Sequence, residues 1–126
     1  MKYFLMPTAV LALLLGVALW NAAAVDAAVT PWCAAVSEAQ DCAAREDWDG
    51  AARLVEETRR AWDGRQVYFH IVTAHDELEA VDALLAEAKA FAGERDAAEF
   101  RACTARLITQ LRVVAEMQRL SLKNIL

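Results

Sequence analysis

The chain has 126 residues, of which 58% are hydrophobic and 25% charged, and its net charge is −5. A chain of this length holds one small domain, and its acidic balance argues against nucleic acid or anionic lipid as the partner. Because only four Gly and two Pro interrupt a sequence rich in Ala, Leu, Glu and Arg, the composition predicts an all-α fold.

The first predicted element is an uncharged stretch of 23 residues, 3–25, between Lys2 and Asp26. As a helix it would be about 34 Å long, which is enough to cross a hydrocarbon core of about 30 Å. A secretory signal peptide also begins with a cation and an apolar run. The length of the run, together with Tyr3 and Trp20 at the positions of interfacial aromatics, favours a retained transmembrane helix that contacts membrane lipid.

The basic residues predict the orientation of this helix. Lys2 precedes the span and the next basic residue after it is Arg45, so the positive-inside rule places the amino terminus in the cytoplasm. We expect a membrane anchor over residues 1–28 and an extracytoplasmic helical bundle with an apolar carboxyl-terminal tail over residues 29–126. The bundle would be secreted if the anchor were cleaved.

The bundle is expected to begin with a helix that ends near Ala44. Thr30 followed by Pro31 is typical of an N-cap and a first helical position, which predicts a kink or a short break there. Beyond that point an apolar face recurs every three or four residues and needs a partner helix. The members of this face are Val29, Trp32, Val36, Ala39 and Ala43.

A second helix is predicted to begin after Asp47, whose side chain can cap it. Bulky apolar residues then recur at steps of seven, at Trp48, Val55, Trp62 and Phe69. Such a heptad line is typical of a packing seam between helices. Its alternative interpretation is a pocket between helices, lined by Trp48, Trp62 and Phe69, that holds a small molecule or a peptide.

The apolar pattern changes phase near Thr73, which is expected to cap a third helix, and Gly93 is expected to end that helix in a left-handed conformation. The sequence from Asp96 to Glu99 resembles a capping box and predicts the start of a fourth helix. The apolar faces of these two helices are Leu78, Val81, Leu85, Ala88 and Ala92, and then Phe100, Cys103, Leu107, Leu111 and Val114.

Short turns force neighbouring helices to be antiparallel, so the predicted fold is an anchor leading into an up-and-down bundle of three to four helices. The last residues do not continue the apolar pattern. Their interpretation is open between a tail that folds back on the bundle and a docking peptide for a membrane protein. The candidate docking residues are Leu120, Leu122, Lys123, Asn124, Ile125 and Leu126.

Candidate chemistry is sparse. His75 and Glu79 would share a helix face, but neither His-Glu-x-x-His nor a repeated Glu-x-x-His occurs, so no metal or cofactor is expected. No CxxC, glycine-rich phosphate loop or G-x-S-x-G is present, and we do not expect an enzyme. Cys33 and Cys42 lie on opposite faces of one helix, which leaves either a bond between Cys42 and Cys103 or three buried thiols.

The order of these parts resembles the bacterial membrane-anchored family known as domain of unknown function 4363. The resemblance lies in the anchor, Asp47-Trp48 with Ala51-Ala52, the segment His75 to Leu78 and above all the terminal sequence LSLKNIL from Leu120. It implies a membrane-anchored helical protein with no assigned activity and a membrane partner. It provides no catalytic residue.

Two functional hypotheses follow. The first is an interaction or accessory protein that binds a membrane or envelope partner. The second is an extracytoplasmic sensor or a module that binds a small ligand or peptide in the aromatic pocket.

Overall fold

The computed structural model describes the backbone of residues 2–125 and, within that range, every side chain except those of residues 2, 72 and 121–125. The described chain forms five helices and contains no strand, which confirms the all-α prediction. The helices are α1 (Lys2–Ala44), α2 (Trp48–Gly64), α3 (Gln66–Val72), α4 (His75–Glu94) and α5 (Ala97–Ile125).

Four of these helices form an up-and-down bundle. Helix α1 packs against α2 and α5, and α4 packs against the same two helices, so the four close around a common core. The short helix α3 joins α2 to α4 at one end, which we call the base. The opposite end, which we call the tip, holds the turns at residues 45–47 and 95–96.

Helix α1 is uninterrupted over 43 residues and contains Pro31 in its interior. The predicted break at Thr30 is therefore wrong. The Thr30 hydroxyl donates to the Asp26 carbonyl at 2.9 Å, one turn back, instead of capping a new helix. The buried residues Val29 and Trp32 on either side of the proline pack into the same core cluster, and this packing overrides the local preference for a break.

The two turns at the tip share one geometry. In the second, the Asp96 amide donates to the Phe91 carbonyl and the Arg95 amide to the Ala92 carbonyl, which is the Schellman arrangement. Arg95 is the left-handed residue, with φ 57° and ψ 36°. The prediction that Gly93 ends the helix in a left-handed conformation is wrong. These two hydrogen bonds end α4 two residues later, at Arg95. Glu46 has the same role in the first turn, with φ 63°.

Each tip turn leads directly into an aspartate cap. Asp47 accepts a hydrogen bond from the Gly50 amide at 3.0 Å, and Asp96 accepts one from the Glu99 amide at 3.2 Å. Both predicted caps are confirmed. The cap predicted at Thr73 is wrong, because Thr73 ends α3 in an extended conformation and α4 follows Ala74 with no side-chain cap.

The predicted apolar faces are buried, and they form two clusters. The cluster near the base contains Trp32, Trp62 and Phe69, and the one near the tip contains Val55 and Phe100. Trp62 and Phe69 stack with their ring centroids 5.1 Å apart. The predicted heptad seam is thus divided, because Trp48 packs at the tip against Phe100 with ring centroids 5.6 Å apart.

Candidate membrane-facing site at the base

The part of α1 that precedes the bundle is apolar and exposed. Its large hydrophobic side chains from Tyr3 to Trp20 are all at least half exposed, except Leu15. Within the described chain, α1 is the one helix long and apolar enough to cross a membrane. Such exposure is typical of a membrane anchor or a signal sequence, and it is opposite to that of a core helix.

The same helix enters the bundle core within two turns. Asn21 is half-buried, and Val25 and Val29 are fully buried or nearly so. Because α1 continues without a break through the predicted domain boundary at residues 28–29, no flexible linker separates the exposed segment from the bundle.

Polar side chains tie three helices together at the base. The Asn21 side-chain amide donates to Gln118 Oε1 at 2.7 Å, and the Tyr68 hydroxyl donates to Asn21 Oδ1. The Gln118 amide in turn donates to the Thr73 hydroxyl at 3.3 Å. This base network links α1, α3, α5 and the residue that ends α3. Since Gln118 is only 8% exposed, its hydrogen bonds specify how these elements meet.

Exposed apolar side chains are concentrated at the base. Outside residues 3–20, the large hydrophobic side chains that are exposed in the described chain are Val67 (78%), Ile71 (79%) and Leu120 (49%). Val67 and Ile71 lie four residues apart on α3, whereas Phe69 between them is fully buried. Helix α3 therefore has apolar residues on both its inner and its outer side.

The predicted docking residues lie at the end of α5. The backbone of α5 is helical as far as Ile125, and Leu120 is half exposed. The side chains of Leu122, Lys123, Asn124 and Ile125, and the whole of Leu126, lie outside the described residues. Docking through this segment stays a prediction.

The end of α5 runs beside the exposed segment of α1. The helices are antiparallel, with Gln40 bonded to Thr104 at 3.0 Å and Asn21 bonded to Gln118 at 2.7 Å. Continuing from Gln118 to the end of the helix adds about 10 Å. That distance brings the α5 backbone level with Leu15 and Ala18, the half-buried residues of the segment.

The histidines lie near the base but do not form a metal site. The His75 and His70 rings are 5.4 Å apart, and His75 Nε2 lies 2.9 Å from Glu79 Oε1. Among the described residues, no group of three or more His, Cys, Asp and Glu side chains is arranged to hold a metal ion. The structure therefore gives no argument for metal chemistry at this position.

All three cysteines are free thiols, so the pairing of Cys42 with Cys103 is not present. Burial raises the pKa of the Cys103 thiol to about 11, and the nearby Glu87 carboxylate adds to the rise. Burial also raises the pKa of Cys33, against the opposing effect of Arg112. Because thiols are nucleophilic only as thiolates, Cys33 and Cys103 are suited to packing rather than catalysis.

The aromatic pocket considered from the sequence is absent from the described structure. Trp62 and Phe69 are fully buried, and Trp48 belongs to the other cluster. A groove of about 550 Å³ does lie between α1 and α5. Three of its charged groups pair with one another, since Arg119 lies 2.6 Å from Asp26 and 3.4 Å from Glu116, and the remaining one, Arg112, interacts with Cys33.

Sequence comparison identifies one family. The model of the family described as domain of unknown function (DUF4363) matches residues 19–125, which is the whole bundle and the end of the exposed segment. No curated protein and no solved structure matches the chain.

Proposed function

Since the chain belongs to the family described as domain of unknown function (DUF4363), we propose that it is a single-pass membrane protein whose bundle is an interaction or accessory module. Its partner is a membrane or envelope protein. The segment at residues 3–25 anchors it in lipid, and the candidate docking segment is the end of α5 from Leu120.

The observation that supports this function best is the continuity of α1. One helix changes from mostly exposed before Asn21 to completely buried at Val25. A cleaved signal sequence needs no such continuity, because it is removed before the domain packs. A retained anchor benefits from it, because the bundle is then held at a fixed height relative to the bilayer.

The charge distribution supports an orientation with the bundle outside the cell. Lys2 lies on one side of the span, whereas no basic residue occurs from there to Arg45. Short flanking segments rich in Lys or Arg stay in the cytoplasm. This distribution supports the proposal that the bundle lies on the extracytoplasmic side.

The proposal contains no catalytic step. The polar side chains at the base are engaged with one another, and the raised pKa of Cys103 keeps that thiol protonated at neutral pH. The filled aromatic core also favours an interaction protein over a ligand-binding module, because Trp62 and Phe69 leave no room for a ligand between them.

Anchoring and topology are tested with full-length protein in intact cells. We expect the protein to float with membranes after alkaline carbonate washing and external protease to degrade the bundle. A mature chain that begins near Val25 and stays in the soluble fraction would refute the proposal.

Partner docking is tested with a photo-crosslinking residue in place of Leu120, and with the same residue at Ala98 as a control. Ala98 is exposed at the tip of the bundle. We expect a discrete protein adduct from position 120 and none from position 98, and a chain ending at Arg119 should lose the partner on purification in detergent. Equal recovery of the partner by the full-length and shortened chains would dismiss the docking segment.

A further inference from the structure

We infer that α3 is a second membrane contact, in which Val67 and Ile71 insert into the extracytoplasmic lipid interface beside the anchor. This inference rests on the proposed anchoring by residues 3–25, and it assigns the outer side of α3 to lipid rather than to a protein partner.

The proposed anchor sets the height of the lipid boundary along α1. Measured from the middle of the 3–25 segment, half a hydrocarbon core of about 15 Å corresponds to about ten helical residues. The outer boundary of the hydrocarbon therefore falls within a turn of Asn21. Trp20, which is 69% exposed, then lies at the depth that tryptophan prefers in membrane proteins.

Helix α3 lies at this same height. The Tyr68 hydroxyl donates to Asn21 Oδ1, so α3 meets α1 at the level of the lipid boundary. Phe69 is fully buried and stacks on Trp62. Because Phe69 is fixed in the core and Tyr68 is bonded to α1, α3 stays at the interface.

The outer side of α3 is apolar and exposed. Val67 and Ile71 are 78% and 79% exposed, which leaves two large apolar side chains in water if α3 does not touch lipid. They are four residues apart, so they point to the same side of the helix. Exposed apolar groups that adjoin a membrane anchor are typical of interfacial helices, whose apolar side enters the boundary of headgroups and acyl chains.

The lipid surface this helix suits is a neutral one. Within α3 the only ionisable side chains are Tyr68 and His70, so no cluster of Lys or Arg is available to recognise anionic headgroups. Insertion is therefore driven by apolar burial, and its depth should not depend on the charge of the lipid.

The experiment uses full-length protein in phosphatidylcholine nanodiscs. Val67→Cys and Ile71→Cys carry an environment-sensitive fluorophore, and Ala98→Cys at the tip is the matched control. All three positions are exposed, so labelling does not disturb the core. The unsubstituted chain, labelled in parallel, measures the background from the native cysteines.

Fluorescence quenching shows whether the labels on α3 lie in lipid or in water. A phosphatidylcholine with a nitroxide at the top of its acyl chain should quench the fluorophores at positions 67 and 71 several-fold more than the one at position 98. This quenching should be unchanged when part of the lipid is replaced by phosphatidylglycerol. Labels at 67 and 71 that are quenched by aqueous iodide as strongly as position 98, and not by the nitroxide lipid, would overturn the inference.

Two further readouts separate the possible failures. If the protein does not remain with the discs after carbonate washing, the anchoring itself has failed. If it remains and the α3 labels lie in water, only the present inference has failed. A photo-crosslinker at Val67 that attaches to a protein in cell membranes, instead of to lipid, would also overturn it.

Discussion

Trp62 has the largest fully buried side chain among the described residues, and it packs at the base. Its ring is fully buried, stacks on Phe69 and meets Trp32 edge to face with centroids 5.8 Å apart. Its indole N–H donates to Asp82 Oδ1 at 2.7 Å, which joins α2 to α4. Replacing Trp62 with phenylalanine keeps an aromatic ring but removes both the donor and part of the packing.

The expected loss for Trp62→Phe is about 2–3 kcal/mol in the free energy of unfolding. A hydrogen bond to a carboxylate contributes about 1.5–3 kcal/mol. The lower end applies here, because Gln66 also donates to Asp82 Oδ1 at 2.9 Å and the carboxylate is exposed to water. The lost edge of the ring adds about 1 kcal/mol of packing.

The assay is thermal unfolding of the full-length protein in detergent, followed by near-ultraviolet circular dichroism. This spectral region reports the packed aromatic rings and is insensitive to an anchor that stays helical. A loss of 2–3 kcal/mol should lower the melting temperature by about 8–15 °C. Asp82→Asn keeps an acceptor oxygen, so as a control it should lose less than about 1 kcal/mol.

A double-mutant cycle tests the reasoning directly. If Trp62 and Asp82 share one hydrogen bond, the double variant Trp62→Phe with Asp82→Ala loses less than the sum of the two single losses. Strict additivity, or a Trp62→Phe protein that melts like the parent, would show that this hydrogen bond does not stabilise the fold.

Four further predictions concern the bundle. Arg95→Gly should stabilise it by about 0.5–1 kcal/mol, because a left-handed residue with a side chain is strained and glycine is not. Gly93→Ala should also stabilise it, since Gly93 is helical and a Cβ there meets no atom within 4 Å; a loss of stability on calorimetry would place Gly93 in the turn. Glu56 accepts hydrogen bonds from Arg59, which lower the pKa of its carboxyl to about 2. Because that pKa is depressed on folding, the stabilisation is present above the ordinary value of 4.5 and is lost as the pH falls toward 2. Glu56→Gln should therefore show a smaller drop in melting temperature between pH 6 and pH 2.5, and an unchanged drop would contradict the assignment. Cys103 should resist iodoacetamide at pH 8 in the folded protein and react after denaturation, as read by mass spectrometry; rapid reaction of the folded protein would contradict its raised pKa.

The helical faces were predictable from the sequence because burial follows the period of the helix. Val36, Leu85 and Leu107 sit in the core where the three-and-four spacing placed them. The aspartate caps were also predictable, because a cap is a local interaction. Pro31 was misjudged for the converse reason: its local preference is overridden by contacts with residues far away in the chain.

The candidate site was predictable only in part. The uncharged segment predicted a long apolar helix, and the structure shows that its large side chains up to Trp20 are mostly exposed, which is typical of an anchor or a signal sequence. The base network was not predictable, since Asn21 and Gln118 are 97 positions apart in sequence. The exposure of Val67 and Ile71 was not predicted, because the sequence pattern of the second helix continues through this segment. The run from Val67, which is apolar on both faces and begins three residues after Gly64, was the pattern that could have revealed α3.

The continuity of α1 has a mechanical consequence for an anchored bundle. From Asn21 to Ala44 the helix extends about 35 Å, so a tilt of about 10° in the span would displace the tip by about 6 Å. A single anchor helix can change its tilt in the bilayer, and a second interfacial contact away from its axis opposes such a change. Since α3 is bonded to α1 through Tyr68 and to the core through Phe69, lipid contact at α3 would limit changes in both the height and the tilt of the bundle. The bundle would then hold the end of α5 at a constant depth for any partner embedded in the membrane beside it.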